Sequence, residues 1–531
     1  MPRRCQSFTR RTATTAKSYH VRQVTINMLP GEALLEIFSF FLYGNENIDG
    51  WHPLVHVCRN WRNIVFGSPR RLNLRLHCTA KTPVKEMLDI WPPFPIIIKG
   101  SDCPSPSIDN IVAALARSDR ICGVMFGHTS VSLWEIVLTA MQVPFPELRS
   151  LHFESKDKTV PIVPDSFLGG SAPRLRSLSL DGILHPGLSK LLLSATDLVD
   201  LSLSNIPHSG YIAPHTMATC LSTSTRLKSL FLNFQSPRSL PDSGSRFTHP
   251  TRRIVLPALT ELRFTGVSEY LEDLVARIDA PQLHVLDIKF FLQLIFDTPQ
   301  LTQFIDRTPQ LKTRGAARVV FSDSGASVSL PRTLDNRGPG VELGISCQQI
   351  DWQVSSLAQF CDSCIPQALI STVENLSIVE RRISPHHGED DIENNQWEEL
   401  FLPFTTVRNL YLSKKFAPRV MLALQELVGD RTTGVLPALQ YLYLEVPTMW
   451  TSPRDHREVQ CYATAPQTPN NRFSMGRCAA YNGWSVTDIN VFIRIAFRIV
   501  HLNTSNLFNT HSLGPSDQNR DISRVMIGLV V

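Results

Sequence analysis

A short phrase of alternating apolar residues recurs nine times in this chain and restricts the folds that are open to it. Its form is L-x-x-L-x-[LIF], in several copies with a proline two residues before the first leucine. Alternate apolar residues point to one side of a strand, and a proline there ends a preceding helix. The copies start 23 to 34 residues apart, a period near 25 to 30, except across a gap near residues 300 to 370. They begin at Leu148, Leu175, Leu198, Leu227, Leu259, Leu283, Val373, Val407 and Leu439.

Segments with helical spacing of apolar residues lie between the phrases. In Glu269–Ile278, for example, Leu271, Leu274, Val275 and Ile278 share one face of a helix. Strands and helices that alternate at this period predict an α/β solenoid, because each repeat buries its apolar side against the next. An ordinary α/β domain whose strands share a pattern by chance is the alternative. The other predicted helices are Val131–Met141, Leu188–Leu193, Val354–Phe360 and Val420–Val428.

The phrase resembles the leucine-rich repeat pattern L-x-x-L-x-L over roughly residues 100 to 445. The asparagine that normally follows is mostly absent, with Asn205 as one candidate, so the resemblance implies irregular repeats. It also implies that the strand side of the solenoid, or the loops at one edge, binds another protein.

A second feature, Met28–Leu76, precedes the repeats. Leu29-Pro30 predicts a helix start, since proline is tolerated in a first turn and Glu32 suits the helix dipole. The segment then carries two apolar runs at helical spacing, which predict two or three short helices. Their apolar surface exceeds what about 45 residues bury internally, so some of it is expected to contact another chain or the following domain. The runs are Leu34, Leu35, Ile37, Phe38, Phe41 and Leu42, then Trp51, Leu54, Val55, Val57, Cys58, Trp61, Ile64, Val65 and Phe66.

These residues resemble the F-box motif, which has an L-P-x-E opening, an apolar helix and a V-C-x-x-W closing helix. The resemblance implies a helical module that docks on the Skp adaptor of a cullin–RING ubiquitin ligase. The middle helix of the family is replaced here by the segment 43–53, and an ordinary helical hairpin is the alternative. The adaptor-binding residues that the resemblance implies are Leu29, Pro30, Glu32, Leu35, Ile37, Phe38, Leu42, Val57, Cys58 and Trp61.

The domain organisation follows from these features. The N-terminal segment holds six Lys or Arg residues before the first acid, Glu32. It is expected to be a disordered tail, with a targeting peptide as the alternative. Residues 313–344 are rich in Gly, Ser, Pro and Arg and predict a long loop. The predicted segments are a basic tail (1–27), an F-box-like module (28–76), a linker strand region (77–99), the solenoid (100–450) and a divergent tail of uncertain fold (451–531).

Amino-acid composition limits the cellular compartments and the classes of partner that are expected for this chain. An apolar content of 43% favours a large core, and a net charge of +5 over 531 residues gives no reason to expect nucleic acid as a partner. No apolar run reaches the roughly 18 residues that span a bilayer, so no membrane partner is expected. Eleven cysteines without regular spacing favour reduced thiols, and therefore a cytoplasmic or nuclear location.

No catalytic motif is present, and the chain is therefore expected not to be an enzyme and to need no cofactor or metal. Cys361 and Cys364 form a C-x-x-C without the second pair that a zinc site needs. His386-His387 lies in an acidic stretch typical of a solvated loop, and the glycines near Gly340 have the wrong spacing for a phosphate-binding loop. An enzyme with an unrecognised site stays an alternative.

Together the two features resemble fungal-type F-box/leucine-rich-repeat proteins. That resemblance implies a substrate-recruiting adaptor subunit of a Skp–cullin–F-box ubiquitin ligase, whose solenoid binds an unknown target protein. The alternative is a solenoid that binds proteins, carries a helical N-terminal cap and has no role in a ubiquitin ligase.

Overall fold

The chain forms two compact units in the computed structural model. The first comprises Met1–His77 and Glu86–Ile96, and the second comprises Cys78–Lys85 and Ile97–Val531. The structure describes residues 26–44, 51–81, 84–100, 108–127, 131–155, 161–237, 252–293, 296–312, 315–331, 339–381, 394–413, 416–417, 419–420, 423–424, 435–444 and 461–464.

Helices and strands alternate along the described residues. The α-helices are α1 (Gly31–Gly44), α2 (His52–Val57), α3 (Arg59–Gly67), α4 (Val84–Ile90), α5 (Ile108–Leu115), α6 (Val131–Ala140), α7 (Leu188–Ser194), α8 (Pro214–Leu221), α9 (Ser268–Arg277), α10 (Pro299–Asp306), α11 (Ile350–Gln359), α12 (Gln367–Ile370) and α13 (Asn394–Phe401). The strands are β1 (Leu76–Thr79), β2 (Ile96–Gly100), β3 (Ile121–Gly127), β4 (Ser150–Glu154), β5 (Ser177–Asp181), β6 (Asp200–Ile206), β7 (Ser229–Phe234), β8 (Ile254–Val255), β9 (Glu261–Gly266), β10 (Ile278–Asp279), β11 (Val285–Phe291), β12 (Ala316–Ser322), β13 (Gly325–Pro331), β14 (Pro339–Ser346), β15 (Asn375–Arg381), β16 (Asn409–Leu412), β17 (Tyr441–Leu444) and β18 (Cys461–Thr464).

Each of the nine repeated phrases forms a strand that begins at its third residue, as in β4 from Ser150 and β17 from Tyr441. The fourth residue of every phrase is buried, and so is the sixth wherever its side chain is described. The strands are largely parallel and lie in the order β1-β2-β3-β4-β5-β6-β7-β9-β11-β14-β13-β12-β15-β16-β17-β18. The α/β class is thereby confirmed, with a large and mostly parallel sheet that is consistent with a leucine-rich-repeat-like solenoid.

Lateral stacking of identical phrase positions builds the core of the second unit. The fourth residues of six successive phrases lie directly opposite one another across the sheet, and each is at most 1% exposed. Every strand therefore buries its apolar side against both neighbours, which an isolated strand cannot do. The six residues are Leu151, Leu178, Leu201, Leu230, Leu262 and Leu286.

A backbone hydrogen bond recurs between neighbouring phrases, one residue before each strand begins. In seven of the nine phrases the second residue donates its N–H to the carbonyl of the second residue one repeat earlier. Thus Val199 N lies 2.7 Å from Arg176 O, and Lys228 N lies 2.7 Å from Val199 O. The bond satisfies backbone groups that the turn would otherwise leave without partners in the sheet. It fixes the register of each of these strands on the strand before it.

The predicted loop over residues 313–344 is wrong, because that segment contains β12, β13 and most of β14. Here the order of strands in space is the reverse of their order in sequence: β14 lies beside β11, and β12 lies beside β15. β13 pairs antiparallel with both of its neighbours. The two strands between β11 and β12 in the sheet, β14 and β13, thus belong to a meander that interrupts the alternation of strand and helix.

The composition of this meander hides its strand pattern. Val319 and Phe321 alternate with other residues in β12, as do Val328 and Leu330 in β13, and all four are buried. The serines at 327 and 329 and the glycines at 325, 338, 340 and 344 gave the segment the composition of a loop. Gly325 begins β13 at a φ of 154°, where a Cβ would lie 2.0 Å from the carbonyl oxygen of Ile345, so the close approach of β13 to β14 requires glycine.

Other sequence predictions have mixed outcomes. The predicted helices in 131–141, 188–193, 269–278 and 354–360 correspond to α6, α7, α9 and α11. Arg71–Leu76 alternates like a strand in sequence but does not form one, since β1 begins only at Leu76 and Asn73 adopts a φ of 50° in a turn. The basic tail, the His386-His387 stretch and the divergent tail lie outside the described residues, except for 26–27 and Cys461–Thr464.

Truncation in the stacked leucine row is expected to destabilise the second unit strongly. Leu286→Ala removes a side chain that is 0% exposed and opens a cavity between three strands. We expect a loss of about 2–5 kcal/mol in the free energy of unfolding, measured by urea denaturation. The control is Lys289→Ala on the outward side of the same strand, which should cost less than about 1 kcal/mol. Equal losses for the two variants would contradict the stacked core.

Candidate functional site

Helix α1 of the first unit is apolar on two separate sides. Leu34 and Phe38 are 0% exposed and pack inside the unit, whereas Ile37 is 43% and Phe40 83% exposed. At about 100° of rotation per residue, the centres of the two sides lie roughly 120° apart around the helix. A helix that needed only to pack on its own unit would show one apolar stripe.

Exposed apolar side chains also lie on both sides of α1 in the sequence. Met28 is 58% exposed just before the helix, and Val57 is 57% exposed at the end of α2. Single exposed apolar residues are normal on a protein surface, but a concentration of them marks a site of interaction. We refer to Met28, Leu29, Ile37, Phe40, Phe41 and Val57 as the exposed apolar set.

The inward side of α1 fixes the position of the exposed side. The rings of Phe38 and Trp61 lie 4.7 Å apart, which joins α1 to α3. The Cys58 Sγ atom accepts a hydrogen bond from the backbone N–H of Trp61 at 3.5 Å and caps the start of α3. An ion pair between Glu36 and Arg71 ties α1 to the turn that follows α3. These contacts hold the helix that carries Ile37 and Phe40 in one orientation.

The ten residues implied by the F-box resemblance fall into an exposed group and a buried group. Leu29, Pro30, Glu32, Ile37 and Val57 are exposed and available to a partner. The other group is buried or half-buried within the protein. Its members are Leu35, Phe38, Leu42, Cys58 and Trp61.

The sequence prediction of the site missed Met28 and Phe40. Phe40 is the most exposed large apolar residue among those described, yet the pattern placed it outside the stripe that defines the motif. Its signal was present in the spacing, since Ile37, Phe40 and Phe41 stand at positions i, i+3 and i+4 and must share a face of the helix. Periodicity shows that residues share a face and does not show whether that face meets water.

Trp51, in the segment where the chain departs from the F-box pattern, is a packing centre of the first unit. It is 3% exposed, and its indole Nε1 donates to the carbonyl oxygen of Arg75 at 3.1 Å. Its ring lies edge-on to Trp91 at 5.2 Å and to Phe94 at 5.7 Å. Edge-to-face aromatic pairs add stabilisation beyond the area that they bury. The departure thus places an aromatic cluster where the family has another helix.

The cysteine pair and the histidine of the second unit that could take part in chemistry are buried. Cys361 and Cys364 are both 0% exposed, and burial raises the pKa of Cys361 well above its ordinary value and that of Cys364 to about 12. Thiols in such surroundings stay protonated and unreactive. His185 is also buried, and desolvation lowers its pKa to about 4. Its imidazole is therefore neutral at physiological pH.

The described residues hold neither a candidate metal site nor a candidate membrane-spanning helix. They contain no group of three or more His, Cys, Asp or Glu residues that could hold a metal ion. None of their helices has the length and apolar content to cross a bilayer. The expectation that the chain is not an enzyme is untested by these findings and stays a prediction.

Comparisons with known proteins contribute little. No family model matches this chain, and no curated protein matches it. One similar solved structure is the crystal structure of the leucine-rich repeat-containing protein LegL7 from Legionella pneumophila. The identity is 12%, the coverage is 70% of this chain and 90% of that protein, and the TM-score is 0.24. A likeness this slight carries no argument on fold or function.

Truncation of two phenylalanines on α1 is expected to change the free energy of unfolding by very different amounts. Phe38→Ala empties a site that is 0% exposed and should cost about 3–5 kcal/mol of unfolding free energy. Phe40→Ala removes a ring that is 83% exposed and should change stability by less than about 0.5 kcal/mol. Chemical denaturation followed by tryptophan fluorescence measures both. A large loss for Phe40→Ala would mean that its ring is packed in the native protein.

Proposed function

We propose that this chain is a substrate-recruiting adaptor subunit of a Skp–cullin–F-box ubiquitin ligase. The first unit docks on the Skp-type adaptor through the exposed apolar set, and the second unit binds a target protein on the outward side of its sheet. The transfer of ubiquitin belongs to the cullin–RING complex, so this chain needs no catalytic residue or cofactor of its own.

The two-sided helix α1 is the observation that carries the proposal. Its inward side already fills the core of the first unit, so Ile37 and Phe40 are left for a separate contact. Aromatic and long apolar side chains are enriched at the centres of protein interfaces, where each buries a large area at low entropic cost. The L-P-x-E and V-C-x-x-W patterns place the same segment in the F-box resemblance.

The alternative function is a protein-binding solenoid whose N-terminal helices only cap the repeats. A cap must present a polar outer surface, because its role is to end the apolar core in contact with water. The exposed sides of α1 and α2 instead carry phenylalanine, isoleucine and valine, with Phe40 83% exposed. The surface chemistry of the first unit therefore favours a docking module over a cap.

A reducing compartment, the cytoplasm or the nucleus, suits the proposal. Seven cysteines of the described part of the chain form no disulfide, and six of them are buried in the second unit: Cys78, Cys122, Cys220, Cys347, Cys361 and Cys364. Thiols of this kind are typical of proteins kept in glutathione-rich compartments.

Capture of a purified Skp-type adaptor tests the proposal directly. Wild-type chain should retain the adaptor on an affinity column, and Leu29→Ala combined with Pro30→Ala should abolish retention. Ile37→Asp combined with Phe40→Asp should weaken binding by more than tenfold, because each charge would have to be desolvated in an apolar interface. Both sets of side chains are exposed, so the fold should survive, as circular dichroism can verify.

Ile90→Asp provides the matched control. Ile90 is 73% exposed at the end of α4 and lies in the first unit, outside the exposed apolar set. This variant should retain the adaptor as the wild-type chain does. If the wild-type chain never captures the adaptor, or if Ile90→Asp abolishes capture as Ile37→Asp does, the proposed docking surface is wrong.

A further inference from the structure

The second residues of successive phrases form a lateral row at the edge of the sheet where the strands begin. In four successive phrases they are Arg149, Arg176, Val199 and Lys228, and backbone hydrogen bonds of 2.7 or 2.8 Å join each to the next. The side chains of Arg149, Arg176 and Lys228 are exposed. We refer to these three cations as the basic edge. Its length is about three strand spacings, or roughly 15 Å.

The residues that precede the same four phrases form a second row, and its charge is balanced. Glu147, Arg174, Asp197 and Arg226 alternate in sign along it. Glu147 forms an ion pair with Arg174, and Asp197 forms one with Arg226 at 3.3 Å. The two acids of this row are therefore engaged by the two cations of the same row.

The two arginines of the basic edge have little acidic compensation. Arg149 approaches Glu147 only to 4.0 Å, and that carboxylate binds Arg174 more closely. Arg176 forms no ion pair and no side-chain hydrogen bond with any residue that the structure describes. Arg149 and Arg176 lie on neighbouring strands about 4.8 Å apart, so two guanidinium groups can reach one anion together.

Lys228, at the other end of the basic edge, has one acid nearby. Asp200 attracts it, and the next acid along the sheet, Glu261, forms an ion pair with Arg263. With Asp200 included, the two rows hold more cations than carboxylates, and the excess lies at the two arginines. A surface of this sign selects an anionic partner. The cations are Arg149, Arg174, Arg176, Arg226 and Lys228, and the carboxylates are Glu147, Asp197 and Asp200.

Serine hydroxyls lie beside the two arginines. Ser150 and Ser177 follow Arg149 and Arg176 in sequence, begin β4 and β5, and lie directly opposite each other. Their sequence neighbours Leu151 and Leu178 are buried, so the serines face outward, and both are partly exposed. Neither side chain hydrogen-bonds to another described residue. Guanidinium groups together with accessible hydroxyl donors suit a carboxylate or a phosphoryl group.

The short length of the basic edge favours a protein segment over nucleic acid as the partner. The row continues into Cys122 on one side and Thr260 on the other, and neither adds a cation. A nucleic-acid backbone is usually held through more phosphate contacts than three cations supply. It would also pass close to the carboxylates of Glu147 and Asp197 in the adjacent row. A peptide can place its few anionic groups at the arginines and avoid those acids.

We propose that the basic edge binds an extended segment of a partner protein that carries two anionic side chains about four residues apart. The first, a carboxylate or a phosphoryl group, lies between Arg149 and Arg176 and accepts hydrogen bonds from Ser150 and Ser177. The second binds Lys228. The midpoint of the two arginines lies roughly 12 Å from Lys228, the reach of about four extended residues, and side chains four positions apart point the same way. The inference rests on the proposed target-binding role of the second unit.

Selection from a random peptide library displayed on phage and captured by the immobilised full-length chain tests this inference. Wild-type chain should enrich peptides with two acidic residues separated by three positions. Arg149→Gln combined with Arg176→Gln should remove the preference for one acidic residue and keep that for the other, and Lys228→Gln should do the reverse. These side chains are exposed, so the fold should survive, as circular dichroism can verify.

Arg408→Gln provides the matched control. Arg408 is also the exposed second residue of a phrase, but its neighbour in the row is Glu374 and not another cation. This variant should leave the selection unchanged. Failure of the wild-type chain to enrich acidic peptides overturns the inference, as does acidic enrichment that survives the paired arginine substitutions or is lost in Arg408→Gln.

A selected peptide then separates the two sources of the anion. Fluorescence polarisation compares versions that carry aspartate, phosphoserine or neutral asparagine at the position assigned to the arginines. The asparagine version should bind about tenfold more weakly than the better of the other two, and the paired arginine substitutions should remove that difference. The version that binds better identifies the group as a carboxylate or a phosphoryl group. Equal binding of all three versions would contradict the assigned position.

A labelled single-stranded RNA tests the other class of anionic partner. It should bind more weakly than the selected peptide. Tighter binding of the RNA that is lost with the paired arginine substitutions would make the basic edge a nucleic-acid surface and overturn the inference. Adaptor capture is a separate measurement and reports on the proposed function independently.

Discussion

The second unit depends on the lateral contact between each repeat and the one before it. A strand of four to seven residues cannot bury its own leucines, and the turn before it cannot satisfy its own backbone groups. The neighbouring repeat supplies both, through the stacked leucine row and the bond from the second phrase residue to its equivalent one repeat back. Both interactions act on the inward side and the edges of the strands, so the outward side is left free to vary.

That division explains how a repetitive scaffold carries a specific surface. The inward positions of the phrase are leucine, isoleucine or phenylalanine, whereas the outward positions next to them range from Ser179 to Arg263 and Tyr411. Outward residues contribute little to the core, and their identity can therefore follow the needs of binding. The first unit follows the same logic on one helix, where Phe38 supports the core and Phe40 faces water.

Much of the fold follows from sequence because its information is local. The phrase defines a strand, and its repetition defines the neighbours of that strand. The meander escaped prediction because its pairing is non-local: nothing near Val319 indicates that its strand lies beside β15, some 55 residues onward. The site was predicted in part, since the motif located α1 and α3. It could not separate buried Leu35 from exposed Phe40, because burial depends on what packs against each face.

The reversed strand order of β12, β13 and β14 has a consequence for how the protein folds while it is being synthesised. From β4 to β11 each parallel strand of the large sheet emerges beside a neighbour that already exists, so structure can grow in one direction as the chain is made. β12 emerges with no such neighbour, because its place in the sheet is defined only after β13 and β14 have been synthesised. During synthesis a first series of strands can therefore be added one at a time to the sheet. About 30 residues without a template strand follow, and a second series of strands is then added in the same way.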